Sequence, residues 1–519
     1  MPAHPHYIAA LLHPEAYPHP VRELTLRETH ISWVILTGDY AYKIKKPLNL
    51  GFLDFSTVER RRHFCHEEIR LNRRLAPELY LDVVAICEDR FITIGGAGKP
   101  IEYAVRMRQF SQDQMLEAVI ARHALTEQHL DVFAAAMAEF HARIARSDAS
   151  SPYGTLAAVT HPQLENFTQI AELGVDAATA ARLASIQQWT EQSLQNHAAL
   201  IAQRHAEGFV RECHGDMHLG NMLVLDDAIR LFDCIEFNPN LYWIDVISEV
   251  AFFIMDLQHR GLDAWAFRFL NGYLQHTGDY RGLALLPLYL CYRAMVRAKV
   301  SKIRQGQSAS KEAQSAAADF SAYLDLAARH TQPTRPVLII THGLSGSGKS
   351  TYAQPLASHI QAIHIRSDIE RKRLFGLTAQ QQSFSTIEGG IYTRDASART
   401  YQHLVDTAHT ILASGYSVIV DATFLKREQR DLFGALAKAL GIPWVILHFA
   451  ADKETLKANI RARLRAGGDA SEADLAVLEQ QLAGYQELGP DETNVIDIDF
   501  NARPSYDDCH AMIQKRIGA

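Results

Sequence analysis

The stretch Gly343-Leu344-Ser345-Gly346-Ser347-Gly348-Lys349-Ser350 constrains this chain more than any other. It satisfies G-x-x-x-x-G-K-[ST] at every fixed position. Val337-Leu338-Ile339-Ile340 before it reads as a buried strand, and residues 351–359, starting at Thr351, open a helix. Strand, glycine loop and helix are the parts of a phosphate cradle. Glycines let backbone N–H groups turn toward phosphate oxygens, and the helix N-terminus adds the positive end of its dipole. Lys349 can reach the β- and γ-phosphates, and the Ser350 hydroxyl can ligate Mg²⁺. The sequence therefore predicts an ATP·Mg²⁺ site on Gly343 through Thr351.

The loop begins two-thirds of the way along 519 residues, so at least one further domain is expected before it. A net charge of −7 gives no general attraction for nucleic acid or anionic membrane, and neither is expected as a partner. No apolar run approaches the roughly 20 residues of a membrane span. The first 20 residues lack a basic n-region and are broken by prolines, unlike a signal peptide. Six cysteines are scattered without C-x-x-C pairs, as expected of reduced thiols in a cytoplasmic protein.

The N-terminal part opens as a small β-rich unit. Residues 31–36 read as a strand, Thr37-Gly38-Asp39 as a turn and residues 40–45 as the returning strand. Lys43 and Lys45 are two apart and share a face. They are either a solvated strand face or the place where one lysine meets ATP phosphates. A charged helix over residues 58–75 carries Glu67 and Glu68. A strand lysine paired with a helix glutamate is the arrangement that holds the α/β-phosphates in protein-kinase-like folds. Strand patterns recur at 80–86, 90–94 and 101–108, and helical periods follow over 126–146 and 177–197.

A second chemical stretch reads His214-Gly215-Asp216-Met217-His218-Leu219-Gly220-Asn221, followed by Leu231-Phe232-Asp233-Cys234-Ile235-Glu236. Asp216 can accept a hydrogen bond from a substrate hydroxyl and deprotonate it. Asn221 can ligate Mg²⁺ from the same loop, and Asp233, ending a short strand, can hold Mg²⁺ on the β/γ-phosphates. His214 would brace the loop. These residues resemble the aminoglycoside/choline phosphotransferase superfamily, which shares the protein-kinase-like fold, over roughly residues 30–300. The resemblance implies Asp216 as catalytic base, Asn221 and Asp233 as Mg²⁺ ligands, and Lys43 or Lys45 as the phosphate lysine with Glu68 or Glu67 its partner. Asp245 matches that family's later structural aspartate. Two departures stand out. The first hairpin lacks a glycine-rich loop, and Glu236 takes the place of the usual last acidic position, either as a contributor or as a structural residue.

Arg293 and Arg297, four apart in a helix over 286–303, form either a solvated basic face or a site for an anionic substrate or a neighbouring domain. Residues 330–336 carry two prolines and read as a linker, dividing the chain into 1–332 and 333–519. Beyond the phosphate loop, Ala362-Ile363-His364-Ile365 reads as a strand leading to Arg366-Ser367-Asp368. Asp368 is expected as a second catalytic base or as a helix N-cap, with Arg366 or Arg371 fixing substrate or phosphate. Residues 378–400 are polar and irregular, as a mobile cover would be. Val418-Ile419-Val420-Asp421 reads as a Walker-B-like strand whose Asp421 holds the Mg²⁺ shell. A helix bearing Arg461, Arg463 and Arg465 before Gly467-Gly468 resembles a nucleoside-kinase lid, and Arg461 and Arg465 are the expected phosphate contacts. Alternating strands and helices predict an open parallel α/β sheet.

This part resembles small P-loop kinases of the gluconate/shikimate/zeta-toxin kind, often labelled AAA-family ATPases. The whole chain resembles bacterial fusions of a phosphotransferase-like unit with such an ATP-binding unit. The implied function is transfer of the γ-phosphoryl group of ATP, with Mg²⁺, to small-molecule hydroxyls at two sites. The competing expectation is a nucleotide-sensing regulator in which one unit binds ATP and controls the other or a partner.

Overall fold

The computed structural model describes residues 4–51, 53–307, 310–379, 381–383, 389–467, 469–499 and 502–518. It divides into two compact units that do not follow a single cut near residue 333. One comprises Met1–Asp256 and Tyr292–Phe320, the other Leu257–Cys291 and Ser321–Ala519.

The first unit begins with a six-stranded antiparallel sheet. Its spatial order is Thr25–Glu28, Ser32–Leu36, Tyr40–Lys45, Lys99–Arg108, Tyr80–Glu88 and Ile92–Ile94. The turn at Gly38 joins the expected pair, with Val34 opposite Lys43. One sheet face buries Trp33, Ile35, Tyr42, Ile44 and Ala104. The other packs Ala41, Val105 and Met107 with Cys65 and Ile69 of the helix Val58–Asn72. That helix starts where the Thr57 hydroxyl accepts from Arg60 N, a cap that satisfies one of its orphan donors. Helices follow at Glu127–Arg143, Leu156–Glu172 and Ala177–Asn196, then the hairpin Met222–Leu225/Ala228–Leu231. This is the kinase-like arrangement of a β-rich lobe followed by a helical one.

The second unit holds a five-stranded, all-parallel sheet in the order Ile363–Arg366, Val418–Asp421, Leu338–His342, Trp444–Ala450 and Val495–Asp499. The central strand is buried at every position, as a strand covered on both faces must be. The phosphate loop lies at its C-terminal end, where α/β sheets bind ligands. Of the expected cover over 378–400, residues 380 and 384–388 lie outside the described residues. From Arg394 the chain is the helix Arg394–Ala413 and not irregular. Among the described residues, no helix is long and apolar enough to cross a membrane.

Candidate active sites

In the first unit, both lysines of the strand Tyr40–Lys45 reach the same carboxylate. Lys43 Nζ lies 2.7 Å from Glu68 Oε1 and Lys45 Nζ 2.7 Å from Glu68 Oε2. Each lysine also has a second acid, Asp233 for Lys43 and Glu236 for Lys45. Glu67, the alternative partner, turns outward and pairs with Arg70 at 2.8 Å. Burial opposes ionisation of Glu68, but the charges of Lys43 and Lys45 outweigh it and push its carboxyl down to about 2. Glu236 is therefore an ion-pair partner of the buried Lys45, held beside the segment that carries Asp233.

Asp233 has φ 62°, a left-handed conformation that a non-glycine residue adopts at a cost and that concentrates at functional sites. It is held there from two sides. Asp233 N donates to the Tyr80 hydroxyl at 3.0 Å, and Cys234 N donates to Asn72 Oδ1 at 2.9 Å. Asn72 in turn donates to the Glu68 carbonyl, so the helix that carries Glu68 also pins the Asp233 segment.

The His214–Asn221 loop is laced to that segment. His214 Nε2 donates to the Phe232 carbonyl at 3.0 Å, while its Nδ1 accepts from Asp216 N at 3.3 Å. Burial lowers the His214 pKa to about 3, so the ring is a neutral brace. Phe232 N donates to the Asn221 carbonyl and Ile235 N to that of His214. Glu249 accepts from His214 N and Gly215 N at 2.9 and 3.0 Å, and Arg293 donates to the Gly215 carbonyl at 3.2 Å. Arg293 is thus a buried support of the loop. Asp245 forms a buried pair with Arg204 at 2.7 Å. Asn221 Nδ2 donates to Asp216 Oδ2 at 2.9 Å, which leaves the amide oxygen as the group available to a cation. Asp216 itself is half-buried. Burial would raise its pKa, yet the neighbouring His218, His214 and Arg297 hold it well below the usual carboxylate range.

In the second unit the phosphate loop closes on its own lysine. Lys349 Nζ donates to the carbonyls of Gly343 and Leu344, each at 2.8 Å. Burial lowers its pKa to about 8 against the opposing charges of Asp421 and Asp368. Gly346 has φ +85°, and a Cβ there would lie 2.6 Å from the Leu456 carbonyl oxygen. Gly346→Ala should therefore destabilise the loop by at least about 1 kcal/mol, the cost of a left-handed non-glycine residue, and weaken binding of a fluorescent ATP analogue in direct titration. Ser345 is fixed by Gln481, which accepts from its N–H and donates to its hydroxyl, both at 2.9 Å.

Asp421 ends its strand beside the loop, close enough to Ser350 for its hydroxyl to favour the ionised carboxylate. Burial opposes its ionisation, but His364, Arg366 and Ser350 push its pKa down to about 2. Its Oδ2 is buried and receives no aligned hydrogen bond; His364 Nε2 stands 3.3 Å away. A hydroxyl and an under-satisfied carboxylate oxygen side by side are donors that fit Mg²⁺ and its waters. Asp368 lies in the first turn of the helix Ser367–Leu374, whose cap position is Arg366, so it is not an N-cap. It is half-buried and within electrostatic reach of Lys349 and of Tyr392. One turn on, Arg371 is buried over the Tyr392 ring and donates to the Ile391 carbonyl at 2.8 Å.

Arg461 and Arg465 are both exposed on the helix Lys453–Ala466. Two residues from each, Arg463 is half-buried, and its charge bears on Lys349 and Tyr392. It is Arg463 that faces the loop, because residues 461 and 465 share a helix side that 463 does not. The Arg503 guanidinium also lies over the loop, filling the space that a Cβ on Gly348 would need. Its position, far along the chain between a strand and a helix, carries no local signal. Gly468 lies outside the described residues.

Residues 55–286 match the phosphotransferase enzyme family and residues 338–488 an AAA domain. Uncharacterized proteins of Mycobacterium tuberculosis and Mycobacterium bovis are each 31% identical over 470 residues, 90% of this chain and 92% of the relative. A choline/ethanolamine kinase family protein from Mesorhizobium loti is 13% identical, covering 63% of this chain and 96% of its own, with a TM-score of 0.39. A gluconokinase from Sinorhizobium meliloti is 19% identical, covering 36% and 91%, with a TM-score of 0.24. Together the two modules define an ATP-dependent phosphotransferase of the kinase class. The chain belongs to the same family as the mycobacterial proteins, with a phosphotransferase module and a P-loop module on one polypeptide.

Proposed function

We propose that the protein carries two ATP·Mg²⁺ sites, one in each of the functional domains 1–332 and 333–519, and that each transfers the γ-phosphoryl group to a hydroxyl of a small molecule. The observation that carries this reading is the lacing of Asp216 and Asn221 to Asp233, with Lys43 joined to Asp233 and Glu68.

In the first site Asp216 accepts the proton of the acceptor hydroxyl. The hydroxyl oxygen forms its bond to phosphorus as the bond to the departing ADP oxygen breaks. Asn221 and Asp233 are the residues that would hold Mg²⁺, which supplies charge neutralisation at the phosphates. Lys43 steadies the phosphates from the strand. In the second site Lys349 and Arg463 neutralise phosphate charge, Ser350 and Asp421 would hold Mg²⁺, and Asp368 takes the acceptor proton. Arg371, three residues from Asp368 and on the same helix face, is suited to orient the acceptor.

The test is transfer of label from [γ-³²P]ATP into a small-metabolite extract by wild type, Asp216→Ala and Lys349→Ala. Each variant is expected to lose a different labelled product. If wild type labels no metabolite, the reading fails. If every product depends on one site only, the other domain is a nucleotide sensor.

A further inference from the structure

The strand Ile363–Arg366 is an edge of the parallel sheet, and unpaired backbone groups on such an edge need partners. They are met by a helix, Asp263–Thr277, that precedes the phosphate loop by some 70 residues and falls inside the span matched to the phosphotransferase family. Both lie in the second compact unit. Asn271 acts as a one-residue strand: its Nδ2 donates to the Ala362 carbonyl at 3.0 Å, and its Oδ1 accepts from His364 N at 2.8 Å. One turn on, Gln275 Nε2 lies 3.3 Å from the His364 carbonyl and 3.4 Å from His364 Nδ1.

An amide nitrogen only donates, so the Gln275 amide meets the Nδ1 side of the His364 ring as a donor. His364 is fully buried, and its Nε2 stands 3.3 Å from Asp421 Oδ2 without an aligned hydrogen bond. A line thus runs from Gln275 through His364 to the carboxylate that stands beside Ser350.

The same segment holds the helix bearing Asp368. The Tyr280 hydroxyl donates to Glu370 at 2.8 Å, and Arg373 donates to the Gln275 carbonyl at 2.6 Å. Glu370 is fully buried and also bonds His403 at 3.0 Å. Both carboxylates assigned to the second site are therefore braced by residues 271–280.

We infer that Asn271 and Gln275 are positioning residues of the P-loop site, setting the orientation of His364 and through it the presentation of Asp421 to Mg²⁺. The inference rests on the reading of that site as an ATP·Mg²⁺ site. Partners behind a metal's ligands usually matter about 10- to 100-fold in metal affinity.

The experiment uses full-length protein carrying Asp233→Asn, so that Mg²⁺ dependence at the other site is removed. Binding of a fluorescent ATP analogue is titrated with Mg²⁺ and repeated in EDTA. Gln275→Ala and Asn271→Ala should each raise the half-saturating Mg²⁺ about tenfold and leave metal-free binding unchanged. Gln275 is half-buried on a helix face, so its variant remains testable if Asn271→Ala fails to fold. In ¹⁵N-histidine spectra, the Nδ1 resonance of His364 should shift in Gln275→Ala as its amide contact is lost. Unchanged Mg²⁺ dependence and an unchanged Nδ1 resonance overturn the inference. If Lys349→Ala leaves Mg²⁺-dependent binding intact, the site reading itself is wrong and the inference falls with it.

Discussion

Asp216→Asn is expected to lower phosphoryl transfer at the first site by about 10²–10⁴-fold, the range a positioned general base supplies, with little change in the KM for ATP. The substitution keeps the side chain's shape and removes its ability to take a proton. It also disturbs two contacts: Asn221 Nδ2 donates to Asp216 Oδ2 at 2.9 Å, where a rotated amide would present N–H to N–H, and His218 Nε2 stands 3.4 Å from the same oxygen. The backbone supports from Glu249 and Arg293 do not involve the Asp216 side chain, so the loop stays in place. Steady-state kinetics on the acceptor found by label transfer measure the effect. A fall smaller than about tenfold would leave Asp216 an orienting residue and not a base.

Glu68→Ala is expected to be the most destabilising single change in the first unit. One buried and one partly buried ammonium group share this carboxylate, and each would be left with one acid. Removing one partner of a buried ion pair costs about 3–5 kcal/mol, because the remaining charge is neither solvated nor compensated. For a unit of this size that corresponds to a fall of roughly 10 °C in the midpoint of its thermal transition, measurable by calorimetry on the full chain. Glu67→Ala is the control. Its carboxylate is paired at the surface with Arg70, and such pairs are worth about 0–1 kcal/mol.

The contrast between Glu67 and Glu68 shows where sequence reasoning stops. Adjacent helix residues differ by about 100° in direction, so one faces the sheet and its neighbour does not, and only packing decides which. The same geometry separates Arg463 from Arg461 and Arg465. By contrast, the phosphate loop, the His214–Asn221 loop and the strand ending in Asp421 were legible, because their chemistry is local and spacing-dependent, whereas the strand expected to end in Asp233 stops at Leu231 and leaves Asp233 in a left-handed turn. The helix Leu156–Glu172, with Pro162 inside it, has no clear helical signature. Nor does composition reveal that Asn271 completes a sheet edge at Ala362 and His364, since that pairing joins residues about 90 positions apart. The linker near residue 333 is a real break in sequence character, yet compactness places Leu257–Cys291 in one unit with Ser321–Ala519.

That discontinuity has a bearing on how the chain is made. The helix Asp263–Thr277 leaves the ribosome well before the strand whose edge it covers, and translation at about 5–20 residues per second separates the two by several seconds or more. During that interval the buried face of the helix, with Phe267, Leu270, Asn271 and Leu274, has no sheet to meet. A nascent chain paused before residue 363 would be a natural client for a holdase chaperone. A fragment started at residue 333 has the opposite defect: its sheet forms with a bare edge, open to pairing with another copy. Gene halves expressed separately would be expected to recombine poorly, whatever the independence of their chemistry.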